Sequence, residues 1–488
     1  MASGSQPVVL FYTDNGFGLG HLTRQAAVAS RAHGRFRPAF LTMSAGYPLL
    51  RQLGFPVEYF PSYDRLEVSK RDWEPLMEER VLEAIRLSGA RVVVVDHVSP
   101  PWIFEALRAE TEGVKFVWSR RGLWQPGKNI SSLEISGDFD FIVEPGDLAA
   151  PVDQGPTARR RSETIPTAPV VLTDPSEFLD RDEAREQLGI PRSGRALLVN
   201  LGESDPSAVE TSMSHARSIV DRIADEPTNL FAPLHPLHSG QTREVDNVTM
   251  APVYPVARYL NAFDGAISTA GYNSFHEIMG SGLPAVFVPR GNPRIDDQAR
   301  RAEFASLSGR AHWAPGIVDS SFPKAVERML RPGERDIAEK TAAVLGPMRG
   351  AHEFADILAE VAATASSPGR VSDHLDLEAS EMATAPNDNS LSPATLVIAM
   401  DHDDEQLREL ADSLDQSEVA TTFVLVRDGD PGPLYRKRIV FESVMTESEW
   451  FALGKRGYPS YLDARIAGIT RRYKMARLIA PPPGAHNR

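Results

Sequence analysis

His21 closes the glycine-rich stretch Thr13-Asp14-Asn15-Gly16-Phe17-Gly18-Leu19-Gly20 and stands where a helical pattern begins. The positive end of a helix keeps an imidazole neutral, so a histidine there can accept a proton; it can equally pack against or cap the turn. Asp96 ends the apolar run 91–95 and is followed by His97, which places an acid and a second imidazole at a strand end. The richest run is 267–298, ISTAGYNSFHEIMGSGLPAVFVPRGNPRIDDQ. A helix starting on Gly271 turns unpaired backbone N–H groups and the positive end of its dipole toward whatever lies in front of it, which suits a phosphate or diphosphate. One turn further, Glu277 is acceptor-only when ionised and suits the paired hydroxyls of a ribose. After the next strand, Asp297 and Gln298 return to the same crevice. Diphosphate, ribose and a hydroxyl-rich head group are the parts of a sugar nucleotide. An ordinary βαβ unit with a capped helix and a solvated acidic loop is the plainer reading of the same spacing.

The elements that must position these residues follow from the apolar runs. Residues 8–12, 40–44, 57–60, 91–95, 115–118 and 141–144 read as strands separated by helical patterns, the opening of a doubly wound sheet. Gly16, Gly18 and Gly20 make a G-x-G-x-G spacing rather than G-x-G-x-x-G, so a dinucleotide fingerprint is not expected. The polar segment 61–73 is expected to be an acceptor-side loop. Arg120 and Arg121 stand at a strand end, where they either bind an anionic acceptor group or close a surface salt bridge. Residues 149–161, rich in Pro, Gly and Arg, lead out of this half. In the second half, 195–200, 229–232, 248–251 and 266–268 read as strands, and 354–363 as a helix that crosses back to the first domain. His276, beside Glu277, is expected to lie on the surface or in packing.

At 488 residues the chain exceeds what one core organises, so two domains or more are expected. Hydrophobic residues at 42% and charged residues at 24% are those of a globular protein. A net charge of −14 disfavours nucleic acid as a partner. The absence of cysteine excludes disulfides, thiolate metal sites and a cysteine nucleophile, and it fits a cytoplasmic location. No basic stretch precedes the first apolar run, and no apolar run is long enough to cross a bilayer, so work on a membrane lipid would be done from the surface, at the inner face.

The run 267–298 resembles the nucleotide-sugar signature in the second domain of GT-B glycosyltransferases, in particular the group of N-acetylglucosaminyltransferases that make lipid II and a set of predicted bacterial glycosyltransferases. The pattern is carried by Gly271, Ser274, Glu277, Gly282, Pro284, Pro289, Asp297 and Gln298, and the resemblance covers about 7–365. It implies an α/β fold of two Rossmann-like domains facing a cleft, residues 1–165 on the acceptor side and 166–364 binding the nucleotide sugar. It implies inverting transfer of a sugar, UDP-linked, to an acceptor hydroxyl, with His21 as base and Asp96 as its orienting partner. Gly202, Ser204, Gly271, Tyr272, Asn273, Ser274, Glu277, Asp297 and Gln298 are the implied donor-binding residues; Gly18, Gly20, Arg120 and Arg121 are placed on the acceptor side. The loop after strand 195–200 departs from the pattern, because Glu203 and Asp205 would repel a diphosphate. The nucleotide sugar is a co-substrate, and neither a resident cofactor nor a metal is expected. A sugar-nucleotide epimerase on the same fold and a non-catalytic sugar-nucleotide-binding regulator are the alternatives.

Residues 365–394 form a polar linker, and 395–488 read as a small appended α/β extension. Asp401-His402-Asp403 mimics a metal-binding D-x-D, but acids capping a helix explain it more simply. The last helical pattern sets Leu462, Ile466, Ile469 and Tyr473 on one face with Arg465, Arg471, Arg472, Lys474 and Arg477 around it. It is read as the extension's closing helix, or else as a basic surface for peripheral membrane contact or a partner.

Overall fold

The computed structural model describes residues 6–13, 19–202, 206–234, 242–245, 247–290, 295–366, 395–414, 416–419, 422–473 and 477–479. Continuous β-branched and aromatic runs, covered on both faces, build its centre. In the first half these are β1 (Val8–Thr13), β2 (Arg37–Thr42), β3 (Val57–Tyr59), β4 (Ala90–Val95), β5 (Lys115–Ser119), β6 (Phe141–Glu144) and β7 (Ile165–Pro166). They pair in parallel in the order β3-β2-β1-β4-β5-β6-β7. Every residue of β1 is buried, as expected for a strand with helices on both sides.

The second sheet holds β8 (Arg195–Asn200), β9 (Thr228–Leu234), β10 (Arg243–Val245), β11 (Val248–Pro252), β12 (Gly265–Ser268), β13 (Ala285–Phe287) and β14 (His312–Trp313). Its order is β10-β11-β9-β8-β12-β13-β14, parallel except for the β10–β11 pair. Each sheet reverses its winding beside its first strand, between β1 and β4 in one and between β8 and β12 in the other. In open α/β sheets the ligand crevice lies beyond the strand carboxyl ends at such a point. The helix Gly350–Thr364 buries Phe354, Ala355, Leu358 and Val361 in the core of the first sheet, the return crossing expected from the sequence.

Residues 395–479 continue the first sheet. Strands β15 (Thr395–Ala399), β16 (Thr422–Val426), β17 (Val440–Ser443) and β18 (Arg477–Ile479) run in parallel in the order β18-β15-β16-β17, and β17 meets the edge strand β3 antiparallel at Ser443 and Tyr59. Ser443 Oγ accepts the Tyr59 N–H at 2.9 Å. The helix Tyr458–Arg472 closes over this junction. Arg465 sits fully buried and reaches Glu58 (2.9 Å), Glu83 (2.8 Å) and Glu442, while Arg472 pairs with Glu83 (2.6 Å). This is the closing helix read from the sequence, and the alternative, a basic surface, is not what its arginines form: Arg465 and Arg472 meet buried carboxylates, and exposed Arg471 pairs with Glu79. Asp403 caps the helix Asp404–Ser413 by accepting from Glu405 N and Gln406 N, the capping role expected for the D-x-D run. Among the described residues no helix is long and apolar enough to cross a membrane.

Candidate functional site

His21 lies in the first turn of the helix Gly20–Ser30, at the carboxyl end of β1, and Asp96 follows β4, so the first winding reversal brings them together. His21 Nδ1 is 2.7 Å from Asp96 Oδ1. Asp96 is almost fully buried and also receives Arg24 Nε at 2.7 Å, Arg24 Nη2 and Ser119 Oγ at 3.2 Å. Burial opposes its ionisation, but Arg24 and the His21 hydrogen bond hold its carboxyl well below the usual carboxylate range. Burial pushes His21 down to about 4, against the pull of Asp96. An ionised Asp96 facing a neutral imidazole requires the proton on Nδ1, which leaves the Nε2 lone pair free. His97 lies alongside, its ring centroid 5.8 Å from that of His21.

The second reversal gathers the other set. Thr269 N–H donates to Asn200 O at 2.9 Å, tying the end of β12 to the end of β8. Gly202 there has φ of +68°, which an L side chain rarely adopts. The helix Tyr272–Ser281 starts on Gly271, with Gly282 in the left-handed region as its stop. Gln298 Oε1 accepts the Arg290 N–H at 3.1 Å, and its Nε2 lies 3.8 Å from where a Cβ on Gly271 would be. Gly202, Gly271 and Gln298 thus converge on one end of that helix. Glu277 is half-buried on the same helix and makes no hydrogen bond or ion pair among the described residues; burial alone pushes its carboxyl up to about 7. Ser274 is half-buried beside it.

The two sets face each other. Asn273 Nδ2 donates to Gly20 O at 3.0 Å, and the hydroxyls of Thr23 and Tyr254 lie 3.0 Å apart. Along one flank the backbone of 123–125 pairs with that of 295–297: Gln125 N–H donates to Ile295 O at 2.7 Å and Asp297 N–H to Leu123 O at 2.9 Å.

Several expected site residues are placed otherwise. Tyr272 is buried, its hydroxyl donating to Gly146 O (2.8 Å) and accepting from Val170 N–H (3.0 Å), so it anchors the helix to the interdomain connection rather than facing a ligand. Arg120 is fully buried against Glu163 (3.2 Å) and Arg160 O (2.9 Å), turned away from the cleft. Arg121 is paired with Asp296 at 3.2 Å across the domains, with its side chain 11% exposed; neither arginine makes a surface salt bridge. Asp297 caps the helix Gln298–Leu307 by accepting from Arg300 N–H at 3.1 Å, so its carboxylate is already engaged. His276, expected on the surface or in packing, is a packing residue: it is fully buried, with Nδ1 2.7 Å from Tyr272 O and Nε2 accepting from Leu148 N–H at 3.1 Å. Gly18 and Ser204, like Glu203 and Asp205, lie outside the described residues.

Sequence reasoning passed over Arg24 and the buried network of Arg301 with Asp147 (2.9 Å) and Asp296 (2.9 Å). Arg24 had a signal, since it stands one helical turn after His21 and so on the same face. Arg301 had none short of the fold.

No protein-family model matches the chain. It is 29% identical over 230 residues, 44% of this chain, to the UDP-N-acetylglucosamine--N-acetylmuramyl-(pentapeptide) pyrophosphoryl-undecaprenol N-acetylglucosamine transferase of Rhodococcus opacus (strain B4), and it spans 58% of that relative's length. To the protein of the same name from Saccharopolyspora erythraea it is 28% identical over 333 residues, covering 66% of this chain and 81% of the relative. Among solved structures it is similar to the spinosyn forosaminyltransferase SpnP, with a TM-score of 0.51 and 14% identity over 74% of this chain and 100% of that one. The chain therefore has the GT-B fold, two Rossmann-like domains of the kind found in glycosyltransferases, with the fold and curated sequence relatives expected from its nucleotide-sugar signature.

Proposed function

We propose that this chain is an inverting glycosyltransferase that moves a sugar from a nucleotide-diphosphate sugar, UDP-linked, to an acceptor hydroxyl. The observation that carries the reading is the His21–Asp96 pair at one winding reversal, 2.7 Å apart, joined through Gly20 and Asn273 to the helix that begins on Gly271 at the other. In this reading the acceptor oxygen attacks the anomeric carbon from the face opposite the diphosphate. The bond from that carbon to the diphosphate oxygen breaks, and the acceptor proton passes to His21 Nε2. Asp96 stabilises the imidazolium so formed. The free N–H groups of the Gly271 helix and its dipole offset the charge that builds on the leaving diphosphate, with no step assigned to a metal. Glu277 takes the ribose hydroxyls. The relatives' name supports UDP-N-acetylglucosamine as the donor class and a lipid-linked acceptor, which would be met at the inner face of the membrane.

Thermal-shift binding against UDP-, dTDP- and GDP-sugars tests the reading, because a ligand that binds only the native state raises its midpoint. One nucleotide class is expected to shift the wild type and His21→Ala alike and to leave Glu277→Ala unmoved. Absence of any shift in the wild type would sink the proposal. Binding without turnover in the wild type would favour the regulator.

A further inference from the structure

Asp96 is held from two sides, and the firmer hold comes from Arg24. The Arg24 side chain is 3% exposed and its guanidinium spans both carboxylate oxygens, Nε to Oδ2 at 2.7 Å and Nη2 to Oδ1. A two-point guanidinium–carboxylate contact fixes the carboxylate plane as well as its position. The same Nη2 lies 3.2 Å from His21 Nδ1. A guanidinium nitrogen carries protons and no available lone pair, so it cannot accept the Nδ1 proton; His21 Nδ1–H donates to Asp96 Oδ1.

Arg24 also reaches the other domain. Its guanidinium lies 5.3 Å from the centroid of the Tyr272 ring, the same ring that Arg121 and Arg301 approach to 5.5 and 6.0 Å. Tyr272 is pinned by its hydroxyl to Gly146 and Val170, so the ring gives Arg24 a fixed wall on the helix that carries Glu277. The charged and titratable groups against His21 are then Asp96 from the end of β4, His97 from the loop after it, and Arg24 from its own helix. From the Glu277 helix, neutral Asn273 donates to the carbonyl of Gly20, the residue before His21.

We propose that Arg24 is a positioning residue for His21: it clamps Asp96 so that the imidazole is held as the Nδ1–H tautomer with Nε2 free, and its charge prevents Asp96 from trapping a proton on the ring. The inference rests on His21 being the base of the proposed transfer. It explains why the chain buries a third, cationic member beside an acid–imidazole pair. Burial is the main force that keeps the imidazole neutral and Asp96 pulls toward the imidazolium, which is useless as a base; Arg24 offsets part of that pull, so the acid orients the ring without charging it.

Nuclear magnetic resonance of the full chain labelled in its histidine rings, with the His21 signals assigned through His21→Gln, tests this with no donor or acceptor present. In the wild type the nitrogen shifts are expected to show Nδ1–H at neutral pH, with a titration midpoint near 4. In Arg24→Gln the midpoint is expected to rise by about one pH unit or more, because Asp96 is left unneutralised. Arg24→Lys keeps the charge and is expected to keep the low midpoint. An Nε2–H tautomer in the wild type overturns the proposal, as does an unchanged midpoint in Arg24→Gln. Should Arg24→Gln fail to fold, Arg24→Met, which removes the charge and keeps an unbranched side chain, takes its place with the same expected rise and the same refuting result. A chain that binds no nucleotide sugar would sink the transferase reading and leave this measurement standing, so the two failures are distinguishable.

Discussion

Replacing Glu277 with glutamine is expected to stabilise the empty protein and abolish nucleotide-sugar binding. Glu277 is a half-buried carboxyl without an ion-pair partner among the described residues, and burial raises it from 4.5 to about 7. A group whose folded value lies above its unfolded value binds more protons in the native state between the two. Stability therefore falls as pH rises through that window, from the acid side of 4.5 to about 7, and the loss is complete above it. At about 1.4 kcal/mol per pH unit the shift sets a ceiling of about 3 kcal/mol. Solvent reaching a side chain that is only half-buried reduces this to about 1–2 kcal/mol. Glutamine keeps the shape and cannot ionise. Urea unfolding at pH 8 should thus find Glu277→Gln more stable than the wild type by about 1–2 kcal/mol, with the gain shrinking to a fraction of that at pH 5. An equal gain at both pH values, or none at pH 8, would refute the reasoning, since every other titrating group cancels in the comparison. Hydroxyls that donate to the carboxylate favour its ionised form, so nucleotide affinity in the wild type should rise with pH through about 7.

Arg465→Ala should destabilise the chain by about 3–5 kcal/mol in denaturant unfolding, because it leaves Glu58, Glu83 and Glu442 buried with too little positive charge. A loss below about 1 kcal/mol would mean that residues 395–479 do not depend on this junction. Tyr272→Phe should cost about 1–2 kcal/mol through the lost contacts to Gly146 O and Val170 N–H while leaving nucleotide affinity unchanged; a drop in affinity would return Tyr272 to the donor site.

Local chemistry made much of the architecture legible. The apolar, β-branched runs that became β1 and β4 read as strands of a doubly wound sheet, and Gly271 and Gly282 bracket the Glu277 helix as start and stop signals do. Such features depend on neighbours within a few residues, and so does the position of His21 at a helix start. The sequence could not say which polar side chains would end inside. Arg120 and Arg121 look alike along the chain, and Arg24 differs only in standing one helical turn after His21. Their burial follows from partners far away in sequence: Glu163 for the first, Asp296 for the second, and Asp96 with Tyr272 for the third. The tail shows the same division most clearly. An α/β extension was visible there, but Arg477, read with its last helical pattern, begins β18, and the joining of these strands to β3 depends on one edge pairing between residues 384 apart and on three carboxylates, from two regions of the chain, meeting one arginine. Sequence by itself determined the strands, the turns and the residues able to do chemistry, because those depend on local backbone preference and periodicity. Tertiary structure alone decided which charges were neutralised, which carboxylate was left without a partner, and where the last strands docked, because these are set by the field and packing of groups brought together only on folding.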